Sequence, residues 1–285
     1  MPFLPLSPLV TTDWLARHLG DPDPVILDTS WYLPSSGRDA RAEYLDGHLP
    51  GARFFDLDQS SDQASPLPHM LPDAEAFARY VGGLGMGNDT TVVVYDGSGA
   101  NMSAARVWWM FRAFGHSAVS VLDGGLVRWR DEQRTLERGE AVFAPMRFQA
   151  RLDREQVRNL VEVEAALKDG TAQVVDVRSA GRFEGTLPEP RPGLPSGHMP
   201  GAINLPYTDL VHADGTALSL ADLKHRLMVA GVRLERPIVA TCGSGTSACA
   251  MLHALHRLGQ ENNALYDGSW TEWASRRMPI ATGRS

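Results

Sequence analysis

Short, largely apolar runs alternate along the chain with longer segments in which apolar residues recur at helical spacing. Val92–Tyr95 and Ile238–Thr241 are two such runs, and both are rich in β-branched residues and lead into glycine-containing loops. Runs of this kind are typical of strands buried on both faces of a parallel sheet. Helical patterns follow over residues 102–114 and 247–258, and a glycine stands directly after each. We therefore predict an α/β fold in which parallel strands alternate with covering helices.

Four landmarks recur in the same order in both halves of the chain. His48 and His198 are 150 residues apart, Asp96 and Cys242 are 146 apart, and Asp123 and Asp267 are 144 apart. This period is far longer than that of solenoid repeats, so it predicts a duplicated domain. The paired segments are 25–28 with 174–177, 47–52 with 197–202, 92–99 with 238–245, and 122–129 with 266–273.

The repeat predicts the domain organisation. We expect a first domain over residues 1–138 and a second over residues 156–285. The segment 139–155 lacks a clean period and holds Pro145 among mixed charges, so we interpret it as a linker.

Composition excludes several classes of protein. The net charge of −7 disfavours nucleic-acid binding, which usually needs a basic surface. No apolar run approaches the roughly 20 residues that a membrane-spanning helix needs. The two cysteines, Cys242 and Cys249, are too few for a disulfide framework, which predicts a reducing, cytoplasmic location.

Cys242 is the candidate nucleophile. It follows a predicted strand, precedes a predicted helix and begins the loop Cys-Gly-Ser-Gly-Thr-Ser-Ala. Gly243 and Gly245 let successive backbone N–H groups point inward, and the positive end of the next helix faces the same spot, so a thiolate would be stabilised there. The alternative is a small buried cysteine, which is how we interpret Cys249, seven residues further on.

One residue in the Cys242 loop and one in the equivalent loop of the first half limit the reactions that these loops could catalyse. A cysteine phosphatase needs an arginine at the sixth position after the cysteine, and Ala248 stands there. In the first half, Asp96 replaces the cysteine, and its charge would repel anionic substrates. We therefore expect the first domain to be catalytically silent.

These motifs resemble the tandem rhodanese family of sulfurtransferases over essentially the whole chain. The resemblance rests on the Gly-His-x-Pro-Gly-Ala segments, the Cys242 loop, and the Asp-Gly-Gly and Asp-Gly-Ser segments with their tryptophans. Within the family, the Cys-Gly-Ser-Gly loop and the segments 181–191 and 58–72 are similar to the members that use 3-mercaptopyruvate, whereas the thiosulfate-specific members carry basic residues after the cysteine. Thr246-Ser247 departs from the usual Val-Thr. The family implies two rhodanese-like domains, each a parallel sheet flanked by helices on both faces.

The resemblance also implies the reaction and the site. Cys242 would accept the sulfur of 3-mercaptopyruvate as a persulfide and release pyruvate, and a second thiol, a thioredoxin-like protein or cyanide would then remove the outer sulfur. No cofactor or metal, no nucleic acid and no membrane would take part, and we expect a monomer. The implied site residues are Cys242, Ser244, His69 and Asp58 for nucleophilic attack and proton transfer, and Arg182, Arg191, Gly243, Gly245, Thr246 and Ser247 for substrate binding.

Two rival hypotheses remain at this stage. A thiosulfate:cyanide sulfurtransferase would share the persulfide step. A sulfur-carrier or regulatory module with little turnover is the second rival, since one repeat already lacks the cysteine.

Overall fold

Each repeat of the sequence forms a five-stranded parallel sheet. The structure, a computed structural model, describes residues 7–284. The contacts between residues divide the chain into two compact units. The first comprises the described residues up to Gln63, Leu71–Asp153 and Ala213–Ala217. The second comprises Ala64–Met70, Arg154–His212 and the described residues from Leu218 onward. The segment predicted as a linker thus lies in the first unit up to Asp153.

The first unit contains strands β1 to β5 in the order β1-β5-β4-β2-β3. The strands are β1 (Leu9–Val10), β2 (Val25–Asp28), β3 (Arg53–Phe54), β4 (Val92–Tyr95) and β5 (Val119–Leu122). The helices are α1 (Thr12–Arg17), α2 (Ala40–Asp46), α3 (Ala74–Gly83), α4 (Met102–Ala113) and α5 (Gly125–Asp131), with a 3-10 turn at Pro34–Ser36.

The second unit repeats this order as β6-β10-β9-β7-β8. Its strands are β6 (Val157–Arg158), β7 (Gln173–Asp176), β8 (Ile203–Asn204), β9 (Ile238–Thr241) and β10 (Asn263–Tyr266). Its helices are α6 (Leu160–Asp169), α7 (Ala180–Glu184), α8 (Leu220–Val229), α9 (Ala248–Arg257) and α10 (Ser269–Ser275), with 3-10 turns at Arg154–Gln156 and Tyr207–Leu210.

The central strands carry the core of each unit. Every residue of β4 and β9 is buried, because helices cover both faces of each sheet. The predicted α/β architecture with two parallel sheets is confirmed. One core cluster forms around β4 and one around β9, and their largest members are Tyr95, Trp129, Tyr266, Trp270 and Trp273.

The predicted helices agree with α4 and α9 to within one residue at each end. Both helices end where a glycine adopts the left-handed conformation, with φ of 88° at Gly115 and 73° at Gly259. A residue with a side chain would be strained there, so these glycines terminate the helices.

The Gly-His-x-Pro-Gly segments form matching turns in the two units. The ring nitrogen Nδ1 of His48 lies 2.8 Å from the carbonyl oxygen of Tyr44, and that of His198 lies 2.8 Å from the carbonyl oxygen of Phe183. Each imidazole also stacks on the ring of the same partner. Both histidines therefore hold turns in place.

Between residues 7 and 284 no helix is both long and apolar enough to span a bilayer.

Candidate active site

Cys242 lies at the carboxyl end of β9, between the flanking strands β10 and β7. The residue is buried, with 1% of its surface exposed. The helix α9 begins six residues later, and Ser247 at its N-cap position makes no side-chain capping hydrogen bond. The positive end of that helix therefore faces the cysteine loop without a capping side chain, which favours an anion beside it.

Two arginines stand over the loop next to the cysteine. Arg182 lies on α7, and Arg191 lies in the irregular segment between α7 and β8. A Cβ atom built on Gly243 would lie 3.0 Å from Nη2 of Arg182 and 3.6 Å from Nη1 of Arg191. Glycine at this position leaves room for both guanidinium groups to approach the backbone beside Cys242. The pair can bind a carboxylate and a ketone oxygen there through charge-assisted hydrogen bonds.

Glu189 holds Arg182 in this position. Nε of Arg182 donates to one carboxylate oxygen of Glu189 at 3.0 Å, and Nη2 donates to the other at 2.6 Å. The carboxylate of Glu189 is almost fully buried and also accepts from Arg178 at 2.8 Å. Although burial opposes the charge of Arg178, the carboxylates of Asp176 and Glu189 raise the pKa of its guanidinium. Glu189 therefore fixes the direction of Arg182 from a buried ion-pair network.

Ser244 joins an arginine to a histidine. Nη2 of Arg191 donates to Oγ of Ser244 at 3.2 Å, and Oγ lies 3.0 Å from Nδ1 of His69. The same ring nitrogen lies 3.1 Å from Oγ1 of Thr246. Because Ser244 already accepts from Arg191, its own proton can be donated to His69 when Nδ1 is unprotonated. All of these side chains except Arg191 are at least nine-tenths buried.

His69 comes from the first half of the sequence, yet its segment Ala64–Met70 belongs to the second unit. The histidine adopts a left-handed backbone conformation with φ of 59°, a region that few residues other than glycine occupy and in which asparagine, aspartate and histidine are enriched. Strained backbone of this kind occurs preferentially at functional sites.

The remaining predicted residues fall in different places. Asp58 belongs to the first unit, where its Oδ2 accepts a hydrogen bond of 3.1 Å from the indole of Trp31. Gly245 lies in the cysteine loop with φ of 77°, and Ser247 leads into α9. The structure thus brings Ser244, Thr246, His69, Arg182 and Arg191 together around the loop of Cys242. It also adds residues that the sequence did not indicate. Asp176, Arg178 and Glu189 form the ion-pair network, and the hydroxyls of Ser269 and Thr271 are hydrogen-bonded to the backbone of the cysteine loop.

In the matching loop of the first unit, the negative charge is the carboxylate of Asp96 itself. One carboxylate oxygen of Asp96 accepts from the backbone N–H and the hydroxyl of Ser98, at 2.8 and 2.5 Å. The other accepts from the hydroxyl of Ser103 at 3.2 Å and from the N–H of Ala104 at 2.9 Å. Donors that an anionic ligand could use are therefore engaged by the protein itself.

Comparison with known proteins identifies the class. The profile of the Rhodanese-like domain matches residues 11–132 and again residues 159–276. The chain therefore belongs to the rhodanese family and carries two copies of its domain.

The individual relatives are sulfurtransferases that are named for 3-mercaptopyruvate or for thiosulfate. The 3-mercaptopyruvate sulfurtransferase of Homo sapiens is 47% identical over 97% of this chain and 96% of its own length. The thiosulfate sulfurtransferase of Bos taurus is 43% identical over 95% of this chain and 93% of its own. Among solved structures, SseA of Escherichia coli, described as a 3-mercaptopyruvate sulfotransferase of rhodanese fold, matches with a TM-score of 0.85. That match has 41% identity and covers 93% of this chain and 99% of SseA.

Proposed function

We propose that this chain is an enzyme that transfers the sulfur of 3-mercaptopyruvate to Cys242, forming a persulfide and releasing pyruvate. The observation that supports this substrate best is the position of two guanidinium groups beside Gly243. The residues that follow Cys242, from Gly243 to Ala248, carry no basic side chain. Positive charge is thus supplied from one side of the loop, as a substrate with a carboxylate at one end and a thiol at the other requires.

The first half-reaction can be written with atoms and electrons in balance. The Cys242 thiolate attacks the sulfur of 3-mercaptopyruvate, an S–S bond forms and the C–S bond breaks. The electron pair of the C–S bond passes to the substrate carbon as the enolate of pyruvate. Arg182 and Arg191 bind the carboxylate and the ketone oxygen, where negative charge develops.

The Ser244–His69 pair moves the proton of this step. The substrate thiol loses a proton and C3 of pyruvate gains one, so one proton can travel between them through Oγ of Ser244 and Nδ1 of His69. Arg191 orients the hydroxyl that passes it on. Asp58 is assigned to the same proton path by the family resemblance, as the carboxylate that orients His69.

The second half-reaction regenerates Cys242. A thiol, a thioredoxin-like protein or cyanide attacks the outer sulfur, and the cysteine leaves as a thiolate. We propose that the chain acts as a monomer in the cytoplasm. The first repeat is proposed to be silent, since Asp96 fills its loop.

Thiosulfate transfer is the second candidate, and similarity alone does not separate it. The bovine thiosulfate sulfurtransferase is nearly as similar to this chain as the human 3-mercaptopyruvate enzyme. A side-by-side assay of kcat/KM with both donors decides between them. We expect the larger value with 3-mercaptopyruvate, and a larger value with thiosulfate would contradict the proposal.

Mass spectrometry tests the persulfide directly. After incubation with 3-mercaptopyruvate, we expect the peptide that contains Cys242 to gain one sulfur atom and the peptide in which Cys242 is replaced by Ser to gain none. Cys242→Ser should abolish pyruvate release while the fold persists. Retained turnover would place the nucleophile elsewhere, and an unmodified Cys242 in the wild type would favour a regulatory module that binds partners without accepting sulfur.

A further inference from the structure

The first turn of α10 contacts the cysteine loop through five hydrogen bonds. Backbone N–H groups of Cys242 and Gly245 donate to Oγ of Ser269, at 3.2 and 3.0 Å. The carbonyl oxygen of Cys242 accepts from the N–H of Trp270 at 3.0 Å. The carbonyl oxygen of Gly243 accepts from both the N–H and the hydroxyl of Thr271, at 3.0 and 2.6 Å. Three consecutive residues of this turn thereby bind both sides of the loop backbone.

The hydroxyl of Ser269 is held in one orientation. It donates its proton to the carbonyl oxygen of Tyr266 at 2.8 Å, so its lone pairs face the two loop N–H groups. Ser269 is completely buried. Its backbone lies in the left-handed region, with φ of 51°, where glycine would be less strained. A serine kept in a conformation that favours glycine points to a requirement for its hydroxyl.

The silent repeat lacks both hydroxyls. Counted from the aspartates of the two Asp-Gly motifs, Gly125 and Val127 stand where the second repeat has Ser269 and Thr271. The backbone contact is retained, because the N–H of Leu126 donates to the carbonyl oxygen of Asp96 at 3.0 Å. Gly125 is itself left-handed, with φ of 54°, and a Cβ atom there would lie only 2.5 Å from that same carbonyl oxygen. The hydroxyl contacts therefore occur only in the repeat that has the cysteine, whereas the backbone contact occurs in both repeats.

We propose that Ser269 and Thr271 are positioning residues for Cys242. Their hydroxyls fix the backbone of residues 242–245, and with it the direction of the sulfur towards a substrate that the arginines hold. This inference rests on the proposed sulfur transfer by Cys242. A small displacement of a nucleophile from its attack position lowers the rate of the chemical step more than it weakens binding.

The first test compares two substitutions at one position. Ser269→Ala removes the hydroxyl and keeps a Cβ atom, whereas Ser269→Gly removes the hydroxyl and relieves the left-handed backbone. We expect both variants to lose roughly 10-fold or more in kcat for pyruvate release from 3-mercaptopyruvate, with KM changed little. Ser269→Gly should nevertheless unfold at a higher temperature than Ser269→Ala. A wild-type kcat in Ser269→Gly would overturn the proposal.

The second test uses conservative rescue. Thr271→Val copies the first repeat and should lower kcat, while Thr271→Ser keeps the hydroxyl and should restore most of it. Ser275→Ala, an exposed substitution on the same helix, is the matched control and should keep wild-type kinetics. Equal kcat in Thr271→Val and Thr271→Ser would contradict the inference. Failure of the proposed function is distinguishable, because it would leave the wild-type Cys242 without added sulfur.

Discussion

Arg182 and Arg191 lie beside the same glycine but have different partners. The guanidinium of Arg182 donates to Glu189, whereas that of Arg191 donates to Ser244. Arg182→Ala should therefore act mainly on KM for 3-mercaptopyruvate, and Arg191→Ala should raise KM and lower kcat. A lost charged hydrogen bond of about 1.5–3 kcal/mol corresponds to roughly 10-fold or more in kcat/KM. Steady-state kinetics with 3-mercaptopyruvate measures both effects.

An exposed arginine supplies the control for these two variants. Arg154, on the 3-10 turn before β6, is exposed, and Arg154→Ala should leave both constants unchanged. If Arg182→Ala and Arg191→Ala both kept wild-type kcat and KM, neither guanidinium would bind the substrate.

His69 is expected to shape the pH dependence of turnover. His69→Ala removes the acceptor that lies 3.0 Å from Oγ of Ser244, so the proton path ends at the serine. We expect a lower kcat and a changed pH–rate profile. Thr246→Val removes the other hydroxyl beside Nδ1 and leaves the Arg191–Ser244–His69 chain intact, so its effect should be smaller. Profiles of equal shape for wild type and His69→Ala would remove His69 from proton transfer.

The sequence predicts the cysteine loop but not the residues that hold the loop and its arginines in position. Cys242 could be predicted because a strand, two glycines and a helix surround it in the chain itself. Glu189 could not, since its role depends on burial and on bonds to two arginines that only the fold brings together. Ser269 was visible as the one difference between Asp-Gly-Gly and Asp-Gly-Ser, but its partners lie 24 to 27 residues away.

Among the elements, those with a strong apolar pattern were predictable. The strands β4 and β9 coincide with their predicted ranges because the sequence pattern reflects burial on both faces. The short helix α7 was not predicted. It has five residues, one of them Gly181, and little intrinsic helical preference, yet it carries Arg182. Its formation depends on tertiary contacts such as the packing of Phe183 against His198.

The loop after β4 offers a test of the proposal that the first repeat is catalytically silent. Asp96→Asn keeps the size of the side chain but places an amide where Ser98, Ser103 or Ala104 now donates to a carboxylate. We expect a loss of about 1–3 kcal/mol in the free energy of unfolding, measured by urea denaturation. Sulfur transfer should keep its wild-type kcat/KM when assayed well below the unfolding transition. A selective loss of turnover in the folded variant would show that the first repeat takes part in catalysis.

For the whole molecule, the repeat predicted two domains but not how the chain is shared between them. Ala64–Met70 lies in the first half of the sequence and belongs to the second unit, while Ala213–Ala217 does the reverse. Neither segment has a helix or strand pattern, so the sequence gives no sign of its contacts. This exchange explains why His69 could be placed near Ser244 only by resemblance to the family, and not from its position in the chain.

Two buried aspartates at equivalent strand ends should contribute differently to the stability of the protein. Asp28 ends β2 and Asp176 ends β7, and both are buried. Asp176 is paired with the guanidinium of Arg178. For Asp28, burial raises the pKa, and the nearby charge of Asp96 adds to the rise. The folded protein therefore binds more protons than the unfolded one between the ordinary aspartate pKa and the raised value, so stability falls as pH rises through that window.

Substitution by asparagine should separate the two sites. Asp28→Asn removes the titrating group, so its stability relative to wild type should grow as pH rises from about 3.9, the ordinary aspartate pKa, and level off above the raised pKa. Asp176→Asn leaves the buried Arg178 with fewer negative partners and should cost about 3–5 kcal/mol at neutral pH. Urea unfolding of wild type and both variants at a series of pH values measures these differences. A stability difference between Asp28→Asn and wild type that stays constant across the series would show that Asp28 does not titrate in that window.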